Sequence, residues 1–498
     1  MGARWSGRVL VVFGASVLAC LNPGGADTES ETALCVPGAE GCECLPGGIC
    51  EGGLVCASQL CTVGVDPTGT TSDSTTAETT GQPVGCDPRG GPESPLCAAS
   101  DPSRPYCGPD GYCVDCTELA SCGALRPICD PDSGYCVECL PGQTSACAGD
   151  TPACDPASNT CAPCTQHDEC PASACDKFTG ACFPPSTLRW VDRNDPNCKP
   201  ALGSEEEPFC NLDQAMAWVD GATGPAALRI RQGLYQGPVI APPGRALALI
   251  NADASQSVLI NGVHADGLVS AKDEAKLFID GVALAGNSLG SGVVIAKSKL
   301  WLDRSELSGH ADAGLHTTDS SVTIDRAVIT SNGRVGVELA GGALFITNTF
   351  VTHNGKVGRD GGVLGAAAAE LRILFSTFIN NEASAGYAAS VECVGVVGWQ
   401  LALRSSVFIG KGGDSVNCPT IATNSVVDGD YPDGDNLVVD TSMISSFFTA
   451  IEGIYRAKPE TELATVGLWK AGDPALDFDG APRPTTDGAS DYPGADRP

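Results

Sequence analysis

The chain has little of what nucleic-acid-binding proteins, helical membrane proteins and compact cytosolic enzymes are built from. Aromatic residues make up 5% of its 498 residues, and 29 Lys and Arg stand against 60 Asp and Glu, a net charge of −31. Such an acidic surface repels nucleic acid and anionic lipid. No apolar run approaches the roughly 20 residues that a transmembrane helix needs. We therefore expect no nucleic-acid partner and no membrane-spanning helix.

Glycine, proline and cysteine are abundant instead, with 61, 35 and 27 residues. That profile is typical of an extended, turn-rich protein, and the length allows roughly two to four domains. Because disulfides form in oxidising compartments, this many cysteines also indicates an extracellular location.

The N-terminus has the pattern of an export signal. Arg4 and Arg8 precede an apolar stretch, residues 9–18, so residues 1–19 are predicted to be a signal peptide. The sequence Leu18-Ala19-Cys20 resembles the end of a bacterial lipoprotein signal, which implies lipidation of Cys20 and, with Leu at position 21, a place in the outer membrane. Leu18 departs from the small residue usual there, and the alternative is ordinary cleavage and secretion. Setting Cys20 aside leaves an even number of cysteines, which can pair completely.

Cysteine spacing divides the N-terminal part into short segments. Residues 20–34 are predicted to be a tether, residues 35–61 a small disulfide knot with six cysteines, and residues 62–85 a Thr/Ser-rich linker. Residues 86–183 carry sixteen cysteines in an imperfect repeat, such as Cys129-DPDSGY-Cys136-VE-Cys139-LPGQTSA-Cys147. Cys-x-x-Cys pairs also suit zinc, but the export signal and the scarcity of histidine favour disulfides, of open connectivity. The units resemble cysteine-rich repeats of Gram-negative surface proteins, which implies that they are spacers.

A short β-like motif recurs through residues 276–411. Its copies Leu277-Phe-Ile-Asp280, Leu300-Trp-Leu-Asp303, Val322-Thr-Ile-Asp325 and Leu344-Phe-Ile-Thr347 start 23, 22 and 22 residues apart. A period near 22 predicts a solenoid whose coils bury their first and third motif residues against one another. Two looser copies start at Leu371 and Leu401. Ten residues after the six motif starts come Asn287, His310, Asn332, Asn354, Asn381 and Lys411. This series resembles the asparagine ladders at the turns of β-helices.

The entry and exit of the repeat support the same fold. Leu212, Ala215, Met216 and Val219 have helical spacing behind Asn211, a predicted N-cap, and a strand with a Gly-x-Tyr turn follows. The Pro-Phe-Cys210-Asn-Leu-Asp-Gln-Ala segment resembles the cap helix of right-handed parallel β-helices of the pectin-lyase-like superfamily. The resemblance implies an all-β domain over residues 188–498, a capped first coil and a Cys198–Cys210 disulfide. Cys393 and Cys418 are predicted to bridge neighbouring coils. The last segment, ending in Gly494-Ala-Asp496, resembles a terminal signature of bacterial surface β-helices and is predicted to be a cap.

Two outward columns of the predicted strands are candidate sites. Phe278, Trp301 and Phe345 form a partly aromatic stripe that suits sugar rings, unless another segment covers it. Asp280, Asp303 and Asp325 would repel one another unless Arg304 and Arg326 neutralise them or Ca²⁺ bridges them. No other cofactor is predicted.

These features predict a non-catalytic cell-surface lipoprotein. Its β-helix would present an extended face for adhesion, with an extracellular glycan or a surface protein as partner, and its only membrane contact would be the lipid anchor. The alternative is a carbohydrate-active enzyme, a polysaccharide lyase or glycoside hydrolase, with catalytic residues among Asp280, Asp303 and Asp325. Hydrolases need paired carboxylates, but no characteristic catalytic motif of the fold is present, so the enzyme is the less favoured hypothesis.

Overall fold

A computed structural model describes most of the chain from residue 97 onward. The described residues are 55–57, 60–62, 97, 104, 106–107, 113–116, 122, 126–142, 147–199, 202–355, 360–395, 400–411, 414–429, 431, 434–451 and 453–498. The predicted signal peptide, Cys20, the tether and most of the knot and linker lie outside them. Chain contacts divide the protein into two compact units, residues 1–82 and 83–498. In the first unit, Val55–Ala57 pairs with Leu60–Thr62, and the second unit contains the cysteine-rich region from residue 97 and the solenoid.

The cysteine-rich region is a row of small cystine units. Each contains one short antiparallel hairpin: Tyr106–Cys107 with Cys113–Val114, Ile128–Cys129 with Cys136–Val137, Ala153–Asp155 with Thr160–Ala162, and Cys175–Asp176 with Ala181–Cys182. Within a unit the first cysteine bonds to the third and the second to the fourth, as in Cys116–Cys129, Cys122–Cys136, Cys139–Cys154, Cys147–Cys161, Cys164–Cys175 and Cys170–Cys182. The Cys-x-x-Cys pairs therefore mark the joints between units.

The hairpin of each of two units folds back onto the joint that precedes it, through the same backbone contact. The Gly134 carbonyl accepts hydrogen bonds from the Asp115 and Cys116 amides at 2.9 and 3.1 Å, and the Asn159 carbonyl accepts them from Glu138 and Cys139 at 3.2 and 3.3 Å. Gly134 has φ +68°, and a Cβ there would lie 2.5 Å from Val114. Because the same contact recurs at both joints, successive units stack in a repeated orientation.

Residues from 188 onward form a parallel β-helix, confirming the predicted fold class. The strand Leu188–Val191 and helix α1 (Leu212–Gly221) close its first coil, and the Asn211 side chain accepts from the Gln214 amide as predicted for the N-cap. Cys198 bonds to Cys210 beside this helix, and Cys393 bonds to Cys418 farther along the chain. No helix in the described part is long and apolar enough to cross a membrane.

The coils stack into three parallel faces. The module face contains Leu188–Val191, Ala226–Ile230, Ala246–Asn251, Lys276–Asp280, Lys299–Asp303, the second halves of Ala313–Asp325, Val335–Thr347 and Val363–Leu374, and Gln400–Arg404. The open face contains Val239–Ala241, Val269–Lys272, Val293–Ala296, the first halves of the same three long strands, Val391–Val394 and Val416–Asn417. The tail face contains Gly233–Gln236, Val258–Asn261, Val282–Ala285, Glu306–Ser308, Val328–Thr330, Phe350–Thr352, Thr377–Glu382, Val407–Lys411, Val426–Asp428 and Leu437–Val439.

The interior is built from the predicted aliphatic columns. The third residues of the four motif copies align in register with inward residues of the neighbouring coils, and all are buried: Leu228, Leu249, Ile279, Leu302, Ile324, Ile346, Ile373 and Leu403. Burying one such side chain stabilises the fold by about 1.5–3 kcal/mol. The repeated contribution from stacked coils accounts for a long core with few aromatic residues.

A buried ladder runs along one corner, as the sequence predicts. The amides of His310, Asn332 and Asn354 each donate at 3.1 Å to the side-chain oxygen of the next member, ending at Asn381. The left-handed conformation belongs to the residue before each member, such as Ser331 with φ 59°. Lys411 is not a member, because Gly410 aligns with Asn381 and Lys411 is exposed.

A C-terminal segment, residues 441–498, lies along the side of the solenoid and includes residues 472–496, the predicted cap. It contains helix α2 (Ile444–Phe447), the hairpins Phe448–Ile451 with Ile454–Ala457 and Gly467–Leu468 with Ser490–Asp491, and the 3₁₀ turns Thr441–Met443 and Glu462–Thr465. Phe447, Phe448 and Tyr455 pack against Phe350 and Val407 of the tail face. The Ala495 amide donates to Thr377 Oγ1 at 2.9 Å. This segment therefore covers the later coils of the tail face.

Candidate functional site

The aspartate column is neutralised by cations of the chain. Asp280, Asp303 and Asp325 are aligned on adjacent strands of the module face. Asp280 accepts from Arg304 Nε and Nη2 at 2.9 and 2.6 Å, and both Asp303 oxygens accept from Arg326 Nη2 at 3.0 and 2.9 Å. The sequence left arginine and Ca²⁺ open as the neutralising charge, and the geometry is that of the arginines.

The backbone conformation of these arginines directs their side chains toward the aspartates. Arg304 and Arg326 each follow an aspartate and have φ 47° and 48°, in the left-handed region. At this corner the side chain turns back toward the preceding coil, so each arginine reaches an aspartate 24 or 23 residues earlier. Asp325, the last of the column, accepts from Arg326 Nε at 3.1 Å and from Thr347 Oγ1 at 2.8 Å. Burial, together with the nearby charge of Asp303, raises the pKa of Asp325.

The last cystine unit, residues 164–182, covers the middle of the module face. The Lys177 ammonium donates to Asp303 at 2.9 Å, and both side chains are 2% exposed. His167, buried beside them, accepts from the Cys175 amide at 3.1 Å, and burial lowers its pKa to about 3. A second contact, Lys276 to Asp176 at 2.6 Å, lies at the rim of the interface. Asp303 is thus part of a structural junction.

The aromatic stripe does not form an open surface. Phe278 is fully buried, and its ring centroid lies 5.3 Å from that of Phe178 and 6.0 Å from that of Phe183 in the cystine unit and the residue after it. Trp301 is half-buried against Phe178 at 5.7 Å. Phe278 therefore has no ring face left for a ligand, and the alternative of a stripe covered by another segment describes this position. Phe345 lies beyond this cover, beneath the Arg372 guanidinium at 5.5 Å.

The open face has no comparable cover among the described residues. Its outward column runs Val294, His316, Glu338 and Leu364 in register, and all four side chains are partly exposed. Ile240, earlier on the same face, is 55% exposed. This is therefore the face of the solenoid on which a large ligand has access to the strands.

An acid–base cluster lies on the open face. Arg334 donates from Nε to Asp312 at 2.5 Å, from Nη1 to Asp360 at 2.7 Å and from Nη2 to Glu338. His316 Nδ1 lies 2.6 Å from Glu338 Oε2. The hydrogen bond from His316 is the largest cause that lowers the pKa of Glu338, to about 2, and the same bond raises the pKa of His316. Glu338 therefore stays ionised and orients the imidazole.

The imidazole has one nitrogen available. In the part of the chain that the structure describes, His316 Nε2 has no hydrogen-bond partner, and the side chain is 34% exposed. A carboxylate-oriented imidazole with a free ring nitrogen can accept or donate a proton near neutral pH. The cluster can therefore bind hydroxyl groups and exchange protons.

Sequence reasoning missed this cluster, although the repeat contains its signal. Asp312 and Arg334 are 22 residues apart, as are His316 and Glu338, one coil in each case. Opposite charges at the coil period indicate side chains stacked on adjacent strands. Identical residues at the coil period, as in the aspartate column, are easy to recognise in a repeat, whereas pairs of different, complementary residues are not.

The architecture defines a parallel β-helix protein with an N-terminal row of cystine units. Residues 85–188 match a family model described as "Family of unknown function (DUF8331)", which spans the cysteine-rich region only. No curated protein matches the chain.

Solved structures with similar chain paths include several lyases. An alginate lyase from Paenibacillus sp. str. FPU-7 is 12% identical, with TM-score 0.30, over 46% of this chain and 89% of that one. The pectate lyase Pel9A is 12% identical, with TM-score 0.31, over 62% and 96%. A rhamnogalacturonan lyase is 10% identical, with TM-score 0.31, over 61% and 96%. Likenesses this remote assign no activity to this chain.

Proposed function

We propose that the protein is an extracellular glycan-binding solenoid whose binding surface is the open face. The proposal rests on which faces other segments cover. The last cystine unit covers part of the module face and the C-terminal segment part of the tail face, whereas the open face exposes the Arg334 cluster. Strands about 4.8 Å apart present side chains at regular intervals, which suits a long repetitive polymer. Sugar hydroxyls both donate and accept, so they can use the carboxylates and His316 Nε2 together.

The charge of the cluster bears on the class of glycan. Asp312, Glu338 and Asp360 surround a single guanidinium, and the chain carries a net charge of −31. A polyuronate would meet net repulsion here. Neutral polysaccharides are therefore the proposed ligands.

Display at the cell surface belongs to the same proposal. A lipid at Cys20 would hold the chain in the outer membrane, and the cystine units would carry the solenoid away from it. Secretion after ordinary signal cleavage remains the competing location. Replacing Cys20 by Ser separates the two: lipidation predicts that the variant leaves the membrane fraction, and an unchanged membrane fraction contradicts it.

Glycan cleavage is a second candidate, favoured by the His316–Glu338 pair. An oriented imidazole beside carboxylates is a recurring arrangement for proton transfer. Cleavage would use the open face and not the aspartate column, because Asp280 and Asp303 are occupied by arginine and lysine.

One experiment tests both candidates. The purified full-length chain is incubated with neutral polysaccharides and polyuronates, and retention and release of reducing or unsaturated ends are measured. We expect retention of a neutral polysaccharide, weakened about tenfold in Arg334→Gln because a charge-assisted bond network is lost. Arg372→Gln is the matched control, since Arg372 pairs with Glu370 at 2.7 Å on the module face. Retention unaffected by Arg334→Gln contradicts the open-face site, and product release abolished by His316→Gln establishes cleavage.

A further inference from the structure

A groove lies at the corner between the module face and the tail face. It has a volume of about 330 Å³ and is bordered by Arg304, Arg326, Glu306 and Phe478. Its floor is apolar and includes Val282 and Val328 of the tail face. Phe478 belongs to the C-terminal segment, so the groove exists only because that segment folds back along the solenoid.

The aspartate column holds the two arginines at this groove. Arg304 and Arg326 each use Nε and Nη2 for carboxylates of Asp280, Asp303 and Asp325. Across the described residues, no hydrogen-bond acceptor is assigned to Nη1 of either arginine. Their side chains are 36% and 14% exposed. Each guanidinium is therefore fixed on one edge and retains a donor on the other.

The Phe478 side chain, which forms the aromatic wall of the groove, is also held in place. The Phe478 ring packs edge-on against Phe350, with centroids 4.9 Å apart, and the Phe478 amide donates to the Ala495 carbonyl at 2.9 Å. The side chain remains partly exposed toward the groove. A ring held in this way loses little conformational entropy when a ligand packs on it.

We propose that this groove binds one uncharged hexopyranose residue of a polysaccharide. The apolar side of the sugar ring would pack on Phe478. The ring oxygen and a hydroxyl oxygen would accept from Arg304 and Arg326 Nη1, and another hydroxyl would donate to Glu306. The volume corresponds to the small end of ligand sites, about 300 Å³. Asp280, Asp303 and Asp325 already balance Arg304, Arg326 and Lys177, and Glu306 adds a negative charge, so the groove selects a neutral sugar over a uronate.

This site does not depend on the open-face proposal, because it lies on another corner and uses other residues. Asp280 and Asp303 act in it as positioning residues: they hold the arginines and do not contact the sugar. The aspartate column, a candidate catalytic or metal site from the sequence, therefore contributes to binding indirectly, by positioning Arg304 and Arg326.

The test is a titration of the full-length chain with methyl glucoside, methyl galactoside, methyl mannoside and glucuronate, in which NMR saturation transfer monitors binding. We expect saturable binding of at least one neutral sugar. Its Kd should rise about fivefold in Phe478→Leu, which keeps the apolar volume but removes the ring, and about threefold in Glu306→Gln. Glu382→Gln, an exposed carboxylate of the tail face 3.4 Å from Lys411, is the matched control and should bind normally.

Three outcomes overturn the proposal: no neutral sugar binds, glucuronate binds as tightly as the neutral sugars, or neither groove variant changes the Kd. Loss of sugar binding in Arg334→Gln would also overturn it, since the sugar would then lie on the open face. Thermal unfolding of each variant shows whether a loss reflects the groove or the fold. If Phe478→Leu unfolds early, Glu306→Gln decides the outcome.

Discussion

At the scale of single residues, charged side chains in this protein are joined across coils, and position determines what each does. Asp303 and Glu338 both accept from arginine, yet Asp303 is sealed under the cystine unit while Glu338 faces an accessible surface. A buried pair contributes chiefly through the cost of breaking it, and an exposed pair remains available to a ligand. The identity of the residue alone does not distinguish the two.

The His316–Glu338 pair gives stability a dependence on pH. The folded-state pKa of His316 is raised, so its contribution is fully present below the ordinary value near 6.5 and is lost as pH rises through the folded pKa. Glu338→Gln should return the NMR-titrated pKa of His316 to its ordinary range or lower. The stability gap between variant and wild type should shrink as the solution becomes alkaline. A gap that grows with pH would contradict this account.

Asp303→Asn should be among the most damaging single changes on the module face. It leaves Lys177 and Arg326 without their shared carboxylate in a buried interface, at a cost of about 3–5 kcal/mol. Asp325→Asn is the control: the Asp325 side chain is 26% exposed and Arg326 keeps Asp303 as its partner, so the change should cost less, about 1 kcal/mol. Denaturant unfolding measures both.

Because arginines neutralise the aspartate column, EDTA should not change the melting temperature of the protein. A clear fall in the melting temperature would indicate a bound cation.

At the scale of elements, the sequence predicts the repeat itself but not the segments that pack on its faces. A spacing of 22 or 23 residues between Leu277, Leu300 and Val322 was enough to predict coils, inward aliphatic columns and the asparagine ladder. These features depend on neighbours one coil away. The contact between Lys177 and Asp303 spans 126 residues and depends on how a separate unit docks, which no local pattern encodes. Phe278 was assigned outward correctly, but its burial depended on that distant segment.

The ladder should carry much of the stability of its corner. Asn354 accepts from the Asn332 amide at 3.1 Å and donates to the Ile329 carbonyl at 2.9 Å, with no exposure. Asn354→Ala leaves buried groups on two neighbouring coils without partners and should cost about 3 kcal/mol in urea unfolding. Asn197→Ala, at an exposed position, should cost less than about 1 kcal/mol. Equal costs at the two positions would contradict a structural role for the ladder.

At the scale of the whole molecule, the described cystine units and the solenoid form one continuous body. The joint at Gly134 repeats at Asn159, and the last unit is fixed to the module face by Lys177 and Phe178. The sequence predicted a spacer. Its stiffness was not predictable, because it depends on disulfide connectivity and on backbone contacts between units.

The joint at Gly134 can be tested directly. Gly134→Val places a branched side chain at φ +68° against Val114, so the carbonyl contact to Asp115 and Cys116 should open. Spin labels on the units before and after the joint should then show a broader distance distribution than wild type. Gly149→Val is the control, because a Cβ there meets nothing within 4 Å and the position is strained to a similar extent, with φ +66°. An unchanged distribution in Gly134→Val would contradict a role for this contact in holding the joint, which no described disulfide crosses.

The docking of the last cystine unit also has a mechanical consequence. A pull on the N-terminal side reaches the solenoid through its flank, at residues 164–182, before it reaches the first coil. The load would first separate Lys177 and Phe178 from the module face, one contact after another, while the disulfides Cys164–Cys175 and Cys170–Cys182 limit how far the unit can extend. A tensile load would therefore strain this junction first, and the stacked coils behind it would keep their shape.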